Sequence, residues 1–139
     1  DRAGILVVGD DADDRNQGFR LFREGDATSQ RIKLNVGTET ADVWNDGGVI
    51  DVTAGEWVQI AVTVSLTKSK IYFNGVEMLS SDLPAGIDWT GCSTMTIGAG
   101  GETFSYWNHL SDSSFLDELR MFNKALTLEE IQTIYDAEK

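Results

Sequence analysis

Residues 70–79 read Lys-Ile-Tyr-Phe-Asn-Gly-Val-Glu-Met-Leu, and this stretch decides the class of fold. Asn74-Gly75 lies between two segments rich in apolar residues, and Asn-Gly tolerates the positive φ angles of a two-residue hairpin turn. The pattern therefore predicts an antiparallel hairpin of residues 70–73 and 76–79. Parallel strands would need long crossover connections, which this chain lacks.

Short apolar or alternating segments predict strands along most of the rest of the chain. Residues 3–9 form an apolar run that is typical of a strand buried on both faces. Residues 30–36 alternate and predict a strand with one dry face and one wet face. Further strands are expected at residues 18–24, 95–97 and 115–122.

Two more regions carry strand signals. Residues 56–66 are the longest strand candidate, and we expect Trp57 at its start to belong to the core. Residues 41–44 and 49–52 are predicted as two short strands around a turn at residues 45–48, Asn-Asp-Gly-Gly, a composition that tolerates positive φ.

Only the C-terminus is predicted to be helical. Residues 127–130, Thr-Leu-Glu-Glu, fit a capping box, and the apolar residues that follow recur at helical spacing. Many short strands, Gly-rich turns and one terminal helix predict an all-β fold, an antiparallel two-sheet sandwich with one short C-terminal helix. The absence of repeats and linkers predicts one domain over residues 1–139.

Composition limits the classes of function. The chain has 139 residues with 11 Lys and Arg against 23 Asp and Glu, a formal net charge of −12. This balance disfavours nucleic acid and anionic membrane surfaces as partners, and no apolar run is long enough for membrane insertion. A single cysteine, Cys92, excludes an intramolecular disulfide and a thiolate metal cage.

Carboxylates crowd one early loop and suggest a cation. Calcium takes six to eight oxygen ligands in flexible geometry, which such a loop could offer, although the spacing is not that of an EF-hand. A solvated acidic loop without a metal fits the residues equally well. The candidate metal ligands in this loop are Asp10, Asp11, Asp13 and Asp14.

Aromatic and polar side chains share two turn-rich segments, residues 100–109 and 42–46. Sugar rings present flat C–H faces that stack on Trp or Tyr, while amide, imidazole and charged groups bond their hydroxyls. Rings that merely cover the ends of the sandwich are the alternative. The candidate ligand-binding residues are Trp107, Tyr106, His109 and Asn108, and in second place Trp44 and Asn45.

Four segments together resemble the laminin-G-like, concanavalin-A-like jelly roll over nearly the whole chain. They are residues 56–63, 70–75, 95–98 and 116–126, the last of which reads Leu-Asp-Glu-Leu-Arg-Met-Phe-Asn-Lys-Ala-Leu. The resemblance implies a carbohydrate-binding module of a larger, glycan-handling protein, similar to surface proteins of the Bacteroidetes type. It implies an extracellular or cell-surface location and a polysaccharide or oligosaccharide ligand. It also implies a structural Ca²⁺ near Asp117.

The resemblance carries two further expectations. Family members begin with one or more strands before the segment that opens here, so we expect a jelly roll lacking N-terminal strands, compensated by a homodimer or a shorter sandwich. Glycosidases of this fold carry Glu-x-Asp-x-x-Glu, which is absent, and the adjacent Asp117 and Glu118 would point to opposite faces of a strand. We therefore expect no enzyme activity; a protein-binding adhesion or structural module is the alternative function.

Overall fold

The predicted Asn-Gly hairpin is present in the computed structural model, which describes residues 2–9, 15–25, 29–50, 55–101 and 114–139. Strands β6 (Lys68–Phe73) and β7 (Val76–Asp82) pair antiparallel on either side of the turn. Asn74 and Gly75 have φ angles of 48° and 76°. Two consecutive positive values are what a type I′ turn requires, so the local sequence dictates this hairpin.

Two antiparallel sheets and one helix make up the described part of the chain, which confirms the predicted sandwich. The larger sheet has the strand order β4-β3-β2-β1-β8, and the smaller sheet has the order β5-β6-β7. The remaining elements are β1 (Arg2–Gly9), β2 (Phe19–Gly25), β3 (Gln30–Gly37), β4 (Asp42–Ile50), β5 (Ile60–Val64), β8 (Thr94–Ile97) and α1 (Leu128–Glu138).

The core lies between the two sheets and follows the alternation of the strands. On β2, Phe19 and Leu21 point inward, toward the smaller sheet, and join the central hydrophobic cluster. Leu34 of β3 and Ile71 of β6 belong to the same cluster and are fully buried. We call this side of the larger sheet the inner face, and the opposite side the outer face.

Strand β4 ties the two sheets together. The Asn45 amide donates to the Ser69 carbonyl oxygen at 3.0 Å and to the Leu79 carbonyl oxygen at 3.5 Å, both in the smaller sheet. A Cβ atom on Gly47 would lie 2.7 Å from Cδ1 of Ile71, so only glycine allows this close approach. Both residues therefore face inward and fix the distance between the sheets.

The hairpin predicted around residues 45–48 is wrong. Residues 42–50 form one strand that pairs with β3 throughout, with a shift in register opposite the step from Ile32 to Leu34. The extra residue of a bulge absorbs this shift, and Gly48 takes the positive φ of 113° there. The glycines of this segment thus serve a bulge rather than a turn.

The strand predicted at residues 115–122 is also wrong. This segment has no regular secondary structure, and its large apolar side chains are exposed, from Phe122 at 52% to Phe115 at 77%. A strand needs a neighbouring edge to satisfy its backbone groups. The segment pairs instead through side chains, with Arg120 Nη2 2.6 Å from Glu138 Oε1 of α1.

The longest predicted strand is shorter than expected. Only residues 60–64 of the region 56–66 pair with β6. Trp57, expected in the core, precedes the strand and is 67% exposed, and Leu66 lies in the bend that follows the strand. The alternation of apolar residues in this region does not show where its pairing with β6 ends.

Helix α1 begins with the predicted capping box. Thr127 Oγ1 accepts a hydrogen bond from the Glu130 backbone N–H, and the Glu130 carboxylate accepts one from the Thr127 N–H. Ile131 is the buried residue of the helix, and Tyr135 lies against Gly75 of the β6–β7 turn. Within the described ranges, no helix has the length and apolar character needed to cross a bilayer.

We expect Asn45→Ala to lower the free energy of unfolding by about 1–3 kcal/mol, because it removes the buried hydrogen bonds between the sheets. Urea denaturation followed by circular dichroism measures the change. Asn123→Ala, at an exposed position, is the matched control and should stay within about 0.5 kcal/mol of the parent protein. Equal effects of the two substitutions would contradict the role of Asn45.

Candidate functional site

One row of side chains crosses the outer face of the larger sheet. Paired residues of antiparallel strands point to the same side, and the registers place one residue of each strand in this row. From β4 to β8 the members are Trp44, Asn35, Arg20, Val7 and Thr96. A single face therefore collects an aromatic ring, an amide and a guanidinium group from three adjacent strands.

The middle of this row is buried, so the wet face predicted for β3 is confirmed at Arg31 and Lys33, which are partly exposed, but is wrong at Asn35. Val7 is 4% exposed, and Arg20 and Asn35 are 0% exposed. Arg20 Nη1 donates to the Gln17 carbonyl oxygen at 2.6 Å and lies 3.3 Å from Asn35 Oδ1. Arg20 of β2 is thus bonded to the residues that precede β2 and to Asn35 of β3, and its polar groups serve contacts within the protein.

Trp44 stands at the accessible end of the row and is held from three sides. The residue is 41% exposed, and its Nε1 donates to Asp42 Oδ2 at 3.0 Å. The Phe22 ring meets it edge-to-face, with centroids 5.8 Å apart and planes at 85°. The Arg15 guanidinium carbon lies 5.8 Å from the Trp44 ring centroid, within the range of a cation–π contact.

Asp42 organises the polar groups around this ring. Its Oδ2 accepts from Trp44 Nε1, from Arg15 Nε at 3.0 Å and from Asn35 Nδ2 at 3.4 Å. Among the described residues no donor bonds its other oxygen, Oδ1. The side chains of Asp42 and Arg15 are 27% and 44% exposed, so both can reach a ligand beside Trp44.

The chain crosses the same outer face immediately after β8. A Cβ on Gly4 would lie 2.1 Å from the Ala99 carbonyl oxygen, and one on Gly101 would lie 2.8 Å from Thr96 Oγ1. Gly4 pairs with Phe22, and Thr96 belongs to the outer row. Residues 99–101 therefore pass over β1 and β8 on the side that displays Trp44.

The structure places some of the predicted ligand-binding residues. Trp44 lies on the outer face and is accessible. Asn45 points to the opposite side and is completely buried, so as placed it cannot touch a surface ligand, and we leave it out of the site. Four predicted residues lie outside the described part of the chain: Tyr106, Trp107, Asn108 and His109.

Arg15 and Arg31 were not predicted as part of a site. Arg31 Nε lies 3.6 Å from Asp46 Oδ1, farther along β4 from Trp44. The alternation of residues 30–36 puts Arg31 on one face with Lys33 and Asn35. That signal was present in the sequence, but only the register of β3 against β4 joins this face to Trp44.

Comparisons with known proteins agree with this architecture. A laminin-G family model, described as the concanavalin A-like lectin/glucanases superfamily, matches residues 1–132. The chain belongs to this superfamily. Membership confirms the resemblance stated from the sequence, and the two antiparallel sheets are those of a jelly-roll sandwich. No curated protein matches the chain.

One solved structure similar to this superfamily member is that of an S-layer domain-containing protein, residues 221–444, from Clostridium thermocellum. The sequences are 24% identical, and the TM-score is 0.42. The match covers 92% of this chain and 60% of that one, so the chain spans less than two thirds of that structure.

A charged triad on the outer face makes stability depend on pH. Glu24 is 2.6 Å from Lys33 Nζ and 2.6 Å from Arg2 Nε. The hydrogen bonds from Lys33 and Arg2 lower the pKa of Glu24 below its ordinary value of 4.5. Its contribution to stability is therefore complete above pH 4.5 and is lost as the pH falls through the lowered value.

We expect Glu24→Gln to lower the free energy of unfolding by roughly 0.5–1 kcal/mol at pH 7, the range of such surface pairs. The difference from the parent protein should begin to shrink below pH 4.5 and should vanish below the lowered pKa, where Glu24 is protonated in both the folded and the unfolded state. Denaturation at pH 7, 5 and 3 measures it. A difference that grows on acidification would contradict the assignment.

The calcium site stays a prediction. Asp10, Asp11, Asp13 and Asp14 lie outside the described residues, and Asp117 is exposed, with its Oδ1 accepting from the Glu118 backbone N–H at 2.8 Å. In the described ranges, no three His, Cys, Asp or Glu side chains are arranged to hold a metal.

If calcium binds the folded chain, a concentration of 100 times its dissociation constant stabilises the protein by about 2.7 kcal/mol. We expect calcium to raise the melting temperature by several degrees, and EDTA to reverse the increase. Magnesium at the same concentration is the control for ionic strength. A melting temperature that neither calcium nor EDTA changes would contradict the prediction.

Proposed function

We propose that this chain is a non-catalytic carbohydrate-binding module that holds a polysaccharide or oligosaccharide on the outer face of its larger sheet. The observation that carries the proposal is Trp44, an accessible indole ring fixed by Asp42, Arg15 and Phe22. An aromatic ring left accessible beside convergent polar groups is the composition expected of a ligand site.

The groups around Trp44 match the chemistry of a sugar. The apolar C–H face of a pyranose ring stacks on the indole, while Asp42 Oδ1 accepts from one hydroxyl group. The terminal nitrogens of Arg15 donate to a neighbouring hydroxyl or ring oxygen. Because Asp42 already orients Trp44 and Arg15, little side-chain entropy is lost when the sugar binds.

We propose that the segment after β8 adds the remaining contacts. Residues 99–101 run over the outer face, and residues 102–109 follow them directly in the chain. This placement supports contributions from Trp107 and Tyr106 as stacking rings, and from His109 and Asn108 as hydrogen-bonding groups. The two aromatic clusters of the sequence would then serve one site.

The carboxylates near Trp44 are unsuited to glycoside hydrolysis. The two carboxylates on this strand are Asp42 and Asp46, and each is ion-paired with an arginine. A glycosidase needs one carboxyl group that gives its proton to the leaving group and a second that attacks the sugar or activates water. The arginine pairs bind both carboxylates and support a binding role rather than turnover.

The proposal includes an extracellular or cell-surface location within a larger glycan-handling protein, which membership of a lectin and glucanase superfamily supports. The second candidate is a protein-binding adhesion or structural module. The exposed apolar segment at residues 115–122 favours it, because large apolar patches mark protein interfaces. A homodimer would be one such interaction.

We expect Trp44→Ala to weaken glycan binding at least tenfold, because it removes the stacking surface. A glycan array of plant, algal and host polysaccharides identifies a binder, and isothermal titration calorimetry of that polysaccharide measures the loss. Trp57→Ala is the matched control, since Trp57 is exposed and lies just before β5 of the smaller sheet rather than on the larger sheet. Trp107→Ala tests the segment after β8.

Four results would count against this proposal. A silent array would favour the protein-binding alternative. Unchanged affinity in Trp44→Ala would move the site elsewhere, and equal losses in Trp44→Ala and Trp57→Ala would indicate a general effect on folding. Release of reducing ends from the bound polysaccharide would contradict the non-catalytic assignment.

A further inference from the structure

Trp44 lies between two ion pairs on the outer side of β4. On one side Arg15 Nε is 3.0 Å from Asp42 Oδ2, and on the other Arg31 Nε is 3.6 Å from Asp46 Oδ1. Asp42, Trp44 and Asp46 follow one another at intervals of two residues, about 7 Å along the strand. We call these five residues the β4 strip.

A long ligand that is bound at Trp44 can extend over the protein surface in a limited number of directions. Toward the centre of the sheet the row continues with Asn35 and Arg20, which are completely buried and therefore covered. Along the strand, by contrast, Asp46 and Arg31 are accessible, with side chains 48% and 42% exposed. A glycan stacked on Trp44 thus finds its next polar contacts along β4, rather than across the sheet.

The electrostatics of the strip favour a neutral ligand. Each arginine already has a carboxylate within 3.6 Å, so the strip has no uncompensated positive charge. A uronate or sulfate group would approach Asp42 and Asp46 at the cost of like-charge repulsion, in a chain of net charge −12. Hydroxyl groups can both donate to the carboxylates and accept from the guanidinium groups.

We propose that the β4 strip binds a neutral oligosaccharide lengthwise, with one ring on Trp44 and a later ring bonded by Asp46 and Arg31. The inference rests on the proposed carbohydrate-binding function, and it adds a second subsite and a ligand class. The subsite contacts only ligands long enough to span from Trp44 to Asp46. Removing the second subsite should therefore lower the affinity for long saccharides and not the affinity for short ones.

Calorimetric titrations with two sets of saccharides, from one to six units long, test the proposal. One set comprises neutral gluco-, xylo- and manno-oligosaccharides. The other comprises oligogalacturonides and their fully methyl-esterified counterparts, in which a neutral methyl ester replaces each carboxylate. The variants are Asp46→Asn and Arg31→Gln. Asp82→Asn is the control, because Asp82 forms a similar exposed ion pair with Lys68 in the smaller sheet.

We expect a neutral series to bind, with Asp46→Asn and Arg31→Gln each weakening the longer members about tenfold and leaving the monosaccharide unchanged. Asp82→Asn should bind all members like the parent protein. Methyl-esterified oligogalacturonides should bind no more weakly than the acidic forms, and affinity should be insensitive to sodium chloride. Melting temperatures of the variants check that they fold.

Different results would contradict the second subsite, the neutral ligand class and the proposed carbohydrate-binding function. Glycan binding that depends on Trp44 but is unchanged in both strip variants would overturn the second subsite alone. Tighter binding of acidic oligogalacturonides, weakened by salt, would overturn the neutral ligand class. Absence of binding to every saccharide would overturn the proposed function together with the inference.

Discussion

Side-chain alternation along β4 is the constraint on which the rest of the structure depends. Asn45 and Gly47 face inward, where the amide bonds the smaller sheet and the glycine admits Ile71. Trp44 and Asp46 consequently face outward. A shift of one residue would bury the tryptophan between the sheets and expose the amide. The same strand thus sets the spacing of the sandwich and displays its candidate site.

The features that the sequence predicted correctly are those that local interactions determine. The Asn74-Gly75 turn and the Thr127 capping box need only neighbouring residues, and both are present as expected. The failures involve distant partners. Whether residues 45–48 form a turn or a bulge depends on their pairing with β3, and whether residues 115–122 form a strand depends on a pairing edge elsewhere.

The sequence predicts which residue types form the candidate site, but it does not predict the direction in which each side chain points. The sequence predicts Trp44 and Asn45 together as ligand contacts, because an aromatic ring beside an amide suits a sugar. As neighbours on a strand they must point to opposite sides, and the contacts of Asn45 with the smaller sheet decide which is which. Arg15 and Arg31 reach the site from other parts of the chain, so only the strand register reveals them.

Although the net charge of the chain is −12, nearly half of its positively charged residues lie on or beside one face of the protein. Five of the 11 Lys and Arg residues, namely Arg2, Arg15, Arg20, Arg31 and Lys33, are on or beside the outer face. They do not form an open basic patch, because Asp42, Asp46 and Glu24 pair with four of them, while Arg20 is buried against carbonyl groups. Held in this way, the guanidinium groups act as oriented hydrogen-bond donors rather than as attractors of anions. An acidic protein can thereby present donors and acceptors side by side, which is what a hydroxyl-rich ligand requires.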